Sequence, residues 1–179
     1  MVIEDQTFQA GAAGGTDEPA LTGVAFEDLF HAERTRLFQA LCLLTGDRYE
    51  AEDLAQEAFV RVYERWERVG GLEDPIGYLY RTAMNAYRSS YRRAKTALRR
   101  HAIQVERDDA LVQVEQRARV LELLAHLTDK QRAALVLVDL VGFTSEEAAR
   151  ILRSSPGAVR TQASRARSAL RTMTEDEDA

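Results

Sequence analysis

Residues 144–171 read TSEEAARILRSSPGAVRTQASRARSALR, and this stretch sets the architecture of the C-terminal third. Thr144 and Glu147 have the spacing of a capping box, which starts a short helix over residues 144–152 with Ala148, Ala149, Ile151 and Leu152 inward. Arg153-Ser154-Ser155 is a turn. Ser155 caps the next helix and Pro156 opens it, a place where its missing N–H costs nothing. Val159, Ala163, Ala166 and Leu170 form the buried stripe of that helix. Its other face carries Arg160, Thr161, Ser164, Arg165 and Arg167. Two short helices, a tight turn and an Arg-rich second helix make a helix-turn-helix, whose second helix enters a DNA major groove. Arg bonds guanine edges in bidentate fashion, and Thr or Ser bonds bases or phosphates. Gly157 and Ala158 let the helix end approach the backbone closely, and the capped start at Thr144 and Ser145 offers amides to a phosphate.

Working back from this stretch, the three-four spacing predicts helix nearly everywhere, so the fold class is all-α. Thr128 and Gln131 form another capping box, and Gly142 stands where a helix-terminating glycine belongs. Val120, Leu124 and Leu127 make the first stripe of this C-terminal unit. Further upstream, Phe26, Leu29, Phe30, Leu37, Leu41 and Leu44 trace a first helix that Gly46-Asp47 ends. Ala51, Leu54, Ala55, Ala58, Phe59, Val62, Tyr63 and Trp66 trace a second, which Gly70-Gly71 breaks. Asp74-Pro75 starts a third, with Ile76, Leu79, Tyr80, Ala83, Tyr87 and Tyr91 inward. The expected organisation is two small helical domains, over 25–95 and 116–173. A flexible linker over 96–115 joins them, with a disordered tail over 1–24 and an acidic tail over 174–179.

The chain has 179 residues and a net charge of −5, unpromising for a nucleic-acid binder until the charge is mapped. Residues 80–107 hold eight basic side chains and only Glu106 as an acid, and 145–172 are also basic. Two basic segments in an acidic chain point to two phosphate-facing surfaces. Cys42 is the single cysteine, so no internal disulfide forms and a multi-cysteine metal site is excluded. His31, His101 and His126 lack metal-ligand spacing, and the acidic second helix lacks the Glu-x-x-His of helical di-iron proteins. No cofactor and no catalytic constellation are expected. The sequence has no apolar run near the ~20 residues a bilayer requires and no secretion signal, which implies a cytoplasmic chain.

On the third helix, Arg81, Asn85, Arg88 and Arg92 share one face at spacings of four, three and four, flanked by Thr82, Ser89 and Arg93. Asn pairs with a base edge and Arg with phosphate or base. Tyr78, at the start of this helix, suits either the core or stacking on an unpaired base. The outer face of the second helix, with Glu50, Glu52, Asp53, Gln56 and Glu57, is acidic and suits a protein partner better than DNA.

These segments resemble bacterial sigma factors. Residues 49–59, YEAEDLAQEAF, look like the polymerase-binding motif of the first conserved sigma domain. Residues 75–93, PIGYLYRTAMNAYRSSYRR, resemble its promoter-melting and minus-ten-reading helix, and 127–171 resemble the domain that reads the minus-thirty-five element. With only two domains, the chain resembles the extracytoplasmic-function subgroup. The resemblance implies that Asp53, Gln56 and Glu57 meet the clamp helices of core RNA polymerase. Asn85 and the Gly70–Asp74 loop would hold a flipped minus-ten base, with Tyr78, Arg81, Arg88, Ser89, Arg92 and Arg93 along the same strand. Arg160, Thr161, Ser164, Arg165 and Arg167 would face the minus-thirty-five duplex beside Thr144 and Ser145, and 96–115 would thread toward the polymerase channel. Implied partners are core polymerase (clamp helices and flap), double- and single-stranded promoter DNA, and an anti-sigma factor. Departures from the family pattern fall at Ser89 (often Asp), Arg153 (often Gly), Ala158 (often Thr) and Ser164 (often bulkier). The competing reading is a helix-turn-helix regulator that is not a polymerase subunit.

Overall fold

Gly46 has φ 75°, a left-handed conformation that glycine adopts without strain, and its N–H closes the first helix on the Cys42 carbonyl at 2.9 Å. Asp47 then accepts the Glu50 amide at 2.9 Å and starts the second helix. The computed structural model describes residues 25–98 and 113–177, and side chains from 25 to 90 and from 119 to 175. Among them run α1 (Phe26–Thr45), α2 (Arg48–Tyr63), α3 (Trp66–Val69), α4 (Pro75–Leu98), α5 (Gln113–Ala125), α6 (Asp129–Leu135), α7 (Ser145–Leu152) and α8 (Pro156–Glu177). A π turn, Val136–Leu140, prolongs α6. No described residue is in a strand.

Leu37, Leu41 and Leu44 of α1, Leu54, Ala58 and Val62 of α2, and Leu79, Tyr80 and Ala83 of α4 fill the N-terminal core. Ala134, Leu137, Val141, Ala148, Ile151, Val159 and Ala163 fill the C-terminal one, and the two merge into a single apolar cluster. Both capping boxes form, Thr128 with Gln131 and Thr144 with Glu147. Gly142 terminates its helix with φ 80°.

Three inward expectations need correction. Tyr63 is 62 % exposed, because Val62 already takes the inward position of the last α2 turn and leaves its neighbour rotated outward. Ile76, in the first turn of α4, is also exposed. Val120 is exposed, while Leu124 near the end of α5 and Leu127 just past it pack against Ala166 of α8. Helix α4 continues past residue 95 to Leu98, α5 begins inside the expected linker at Gln113, and α8 runs on through Glu177 rather than ending at 173. The rest of the expected linker, the 1–24 tail and the Tyr91 side chain lie outside the described residues.

The two halves are joined through helix ends. Glu33 of α1 is buried, accepts the Tyr80 hydroxyl at 3.0 Å and pairs with Arg36 at 3.6 Å. Arg36 in turn donates to the Val141 carbonyl, beyond the π turn of the other half. Phe143 meets the Tyr80 ring edge-on, centroids 4.9 Å apart. Burial, then the Glu33 charge and hydrogen bond, push the Tyr80 phenol far above its ordinary value and keep it neutral. From the C-terminal side, Arg132 donates to the Leu44 carbonyl at 3.1 Å and to its own Leu127 carbonyl at 3.3 Å. Arg88 of α4 donates to the Leu152 carbonyl at 2.9 Å. Each bond across the halves satisfies a carbonyl at or just past a helix C-terminus, where the last turn has no intrahelical donor and the helix dipole favours a cation.

Glu33→Ala strands the buried Tyr80 hydroxyl, while Arg36, half-exposed, keeps the Val141 carbonyl and water. The expected loss is about 2 kcal/mol in denaturant unfolding, and a loss under 1 kcal/mol would show that water replaces the carboxylate there. Bonds from the Thr144 amide and hydroxyl hold the Glu147 carboxyl below its ordinary 4.5. A carboxyl lowered in the folded state stabilises fully above its unfolded value and loses that contribution as pH falls through the folded one. Amide exchange in α7 should therefore accelerate as pH drops below 4.5, relative to α2. Glu147→Gln should remove the difference.

Candidate nucleic-acid interface

Asp74 builds the start of the candidate interface by accepting the Gly77 amide at 2.7 Å, with Pro75 as first helical residue of α4. A Cβ on residue 77 would run into the Asp74 carboxylate, so only glycine keeps this cap. One turn on, Thr82 donates to the Tyr78 carbonyl at 2.8 Å. Tyr78 is half-buried, with its hydroxyl accepting from Arg68 at 3.3 Å and the Arg81 guanidinium 5.3 Å from its ring centre. Hydrogen bonding from Arg65 and then from Arg68, against some burial, holds its phenol below the ordinary value.

Tyr78, Arg81, Asn85 and Arg88 follow at spacings of three, four and three and are all half-buried. Asn85 and Arg88 line a cleft of about 760 Å³ whose opposite wall is the helix-turn-helix, with Leu152, Arg153, Ser154, Ala158 and Gln162. The face expected to read one promoter element is thus packed toward the domain expected to read the other. Ser89 lies beside it, half-buried, while Ser90 donates to Glu50 Oε1 at 2.6 Å and ties α4 to α2. Arg92 and Arg93 lie on α4, but their side chains fall outside the described ones.

In the helix-turn-helix, Ser155 Oγ accepts the Ala158 amide at 3.2 Å and caps α8. The turn needs a left-handed residue, and Arg153 supplies it with φ 53°. Arg160, Thr161, Ser164, Arg165 and Arg167 are exposed on one side of α8. They are not equivalent. Arg167 grips Asp139 with two bonds, 2.6 and 2.8 Å, and Arg160 pairs with Glu146 at 3.0 Å. Thr161 donates back to the Gly157 carbonyl at 2.9 Å. Thr144 is exposed and Ser145 half-buried at the start of α7.

The third surface is the outside of α2. Asp53 and Gln56 are exposed, and Glu57 pairs with Arg61 one turn on. Tyr49, Val60 and Tyr63, exposed by 71, 55 and 62 %, fall with Asp53 and Gln56 at spacings of four, three, four and three. The stripe is therefore acidic and apolar together, which the sequence reading missed by placing Tyr63 inward. It borders a groove of about 690 Å³ lined by Phe26, Phe30, Phe38 and Phe59. Exposed aromatics beside a groove mark protein-binding surfaces.

Among the described residues no helix is long and apolar enough to cross a membrane, and no cluster of His, Cys, Asp and Glu side chains could hold a metal. The family model of Sigma-70 region 2 matches residues 29–97, and that of Sigma-70 region 4 matches 117–170. An RNA polymerase sigma-E factor of Streptomyces avermitilis is 31 % identical over 156 residues, spanning 86 % of this chain and 87 % of the relative. The ECF RNA polymerase sigma factor SigM of Mycobacterium tuberculosis is 30 % identical over 149 residues, spanning 82 % and 75 %. Among solved structures, CnrH in complex with the cytosolic domain of CnrY matches with a TM-score of 0.64 at 26 % identity, covering 86 % of this chain and 89 % of that one. The sigma factor RpoE of Bartonella quintana, in complex with the anti-sigma factor NepR, shares the fold with a TM-score of 0.67 at 21 % identity, over 84 % and 96 %. With both regions matched in order on the two helical units, the chain belongs to the sigma-70 family of RNA polymerase sigma factors, in its extracytoplasmic-function branch, and directs the polymerase to promoters.

Proposed function

We propose a division of labour among the three surfaces. The α2 stripe of Asp53, Gln56 and Glu57, joined by Val60 and Tyr63, docks on the clamp helices of core polymerase in the cytoplasm. Asn85 reads a minus-ten base on the unpaired strand, while Arg81, Arg88, Arg92 and Arg93 hold nearby phosphates and Tyr78 and Ser89 border them. Thr161, Ser164 and Arg165 read the minus-thirty-five duplex. Arg160 and Arg167 join them by exchanging Glu146 and Asp139 for DNA, and the amides at Thr144 and Ser145 meet the backbone. The observation that carries this reading is the Tyr78-Arg81-Asn85-Arg88 stripe, a polar face on a helix whose other side is core. A ligand-sensing regulator has no use for a second basic reader in that half.

No reaction chemistry falls to this chain; the polymerase forms the phosphodiester bonds. Holding an unstacked base offsets a few kcal/mol of unpairing. Both readers work together only when the halves part, since Asn85 and Arg88 face the helix-turn-helix in the closed form. Core polymerase, binding both halves at separated places, supplies the parting. RpoE has been solved with the anti-sigma factor NepR and CnrH with the cytosolic domain of CnrY, and a partner of that kind on the α2 groove would compete with polymerase.

Run-off transcription with core polymerase is the decisive test. Promoter-dependent transcripts should appear only when the chain is added, and Asn85→Ala should cut open-complex formation about tenfold, the worth of one base contact. Tight sequence-specific binding by the free chain, with no transcript, would select the plain regulator. A second measurement addresses the parting. Arg132→Met with Phe143→Leu removes one hydrogen bond and one ring contact across the halves, each worth roughly 1 kcal/mol, and leaves Glu33 paired with Arg36. The double variant should show a larger radius of gyration and several-fold tighter binding of a minus-ten single strand. An unchanged radius with unchanged binding would mean that the closed form does not restrain the reader.

A further inference from the structure

Three guanidiniums converge on one phenol at the open end of the α4 stripe. Arg68 of α3 donates to the Tyr78 hydroxyl at 3.3 Å, and Arg65, from the α2–α3 corner, lies close enough to lower the same phenol's pKa; both arginines are exposed. Arg81 lies over the ring of the same tyrosine. Among the described residues no carboxylate pairs with Arg65, Arg68 or Arg81, although Glu64 and Glu67 are sequence neighbours. Like charges gathered at the hydroxyl and over the ring of one tyrosine repel one another unless an anion joins them. The Tyr78 hydroxyl accepts from Arg68, but no carboxylate among the described residues joins the group. Elsewhere in the fold, exposed arginines such as Arg61, Arg160 and Arg167 do have a carboxylate. Arg34, Arg150 and Arg165 also have no carboxylate among the described residues, but they stand apart, whereas Arg68 and Arg81 share one tyrosine with Arg65 close by.

Its position names the anion. Tyr78 and Arg81 begin the same stripe as Asn85 and Arg88. They lie outside the cleft that the helix-turn-helix closes over Asn85 and Arg88. A nucleic-acid strand that places a base at Asn85 and continues along the stripe toward the α4 N-terminus runs directly to this cluster. Arg fits a phosphate with two parallel bonds, and arginines on separate elements can grip one phosphate from different sides.

We propose that Arg65 and Arg68, with Arg81 and Tyr78, form a phosphate site for the unpaired promoter strand, beside the nucleotide that Asn85 holds. The proposal rests on the minus-ten reading of Asn85 given above. Because this end of the stripe stays open in the closed form, it is also the part of the face that the strand meets first.

The test uses holoenzyme, assembled from the full chain and core polymerase, and a fork promoter probe with an unpaired minus-ten non-template strand. Arg65→Gln with Arg68→Gln should leave the thermal midpoint unchanged, since both side chains are exposed. It should weaken the fork probe about tenfold and flatten the plot of log affinity against log salt by about 0.7, the value of one single-strand phosphate. A probe with a neutral methylphosphonate beside the Asn85 nucleotide should bind wild type as weakly as the normal probe binds the variant, and should cost the variant nothing more. Inorganic phosphate at matched ionic strength should not displace the fork probe. If the variant keeps the wild-type affinity and slope while Asn85→Ala weakens binding, the phosphate site is wrong and the minus-ten reading stands. If Asn85→Ala also has no effect, the underlying reading falls with it. Equal weakening on fully duplex DNA, or displacement by inorganic phosphate, would overturn the assignment to the unpaired strand.

Discussion

The arrangement of this molecule depends on one buried carboxylate. Glu33 sits in an α1 face that is otherwise leucine and alanine, and burying a charge there is tolerable only because Tyr80 and Arg36 both satisfy it. Those two residues carry the effect outward. Tyr80 presents its ring to Phe143, and Arg36 donates to the Val141 carbonyl. The π turn from Val136 to Leu140 matters for the same reason. Its wider winding bonds the Val141 amide to the Val136 carbonyl, and the chain then turns at Gly142 with Val141 and Phe143 facing α1 and α4. One acid thus fixes a tyrosine, an arginine and the docking of two units that are separate in sequence.

The same packing explains why the candidate DNA face looks incomplete at first sight. Asn85 and Arg88 are half-buried on a face of α4 that the other unit approaches. Their cover is the helix-turn-helix, and Arg88 uses its guanidinium on the last carbonyl of α7. A residue suited to phosphate is equally suited to a helix C-terminus, because both offer concentrated negative charge to a planar donor. The chemistry that would let α4 bind DNA also lets it bind its own partner domain.

Features set by local chemistry were legible in the sequence. Gly46 and Gly142 end helices, Thr128 and Thr144 start them, and Ser155-Pro156 opens the recognition helix, each by contacts within about one helical turn. The Asn85 stripe was legible too, since helical spacing alone puts its members together. Tyr63 and Val120 were misplaced because periodicity finds a face but not how far a neighbouring helix covers it. The joints between halves were out of reach for a plainer reason. Arg36 and Val141 are 105 residues apart, Arg88 and Leu152 are 64, and no local pattern connects them. Arg65 and Arg68 escaped because they join the α4 stripe from another element, through Tyr78.

With α4 holding the promoter strand as proposed, the bond from Arg88 to Leu152 would make the second half of the chain a competitive inhibitor of the first. Being tethered, this inhibitor cannot be diluted away, and its strength is an effective concentration set by the joints at Glu33, Arg36 and Arg132. The apparent affinity of the free protein for a promoter strand is its intrinsic affinity scaled by the fraction of molecules that are open, and every 1.4 kcal/mol in the joints lowers it tenfold. Substitutions far from any nucleotide, in the contact between α1 and the π turn, can therefore tune how much polymerase is required before a promoter responds, while the choice of promoter stays the same.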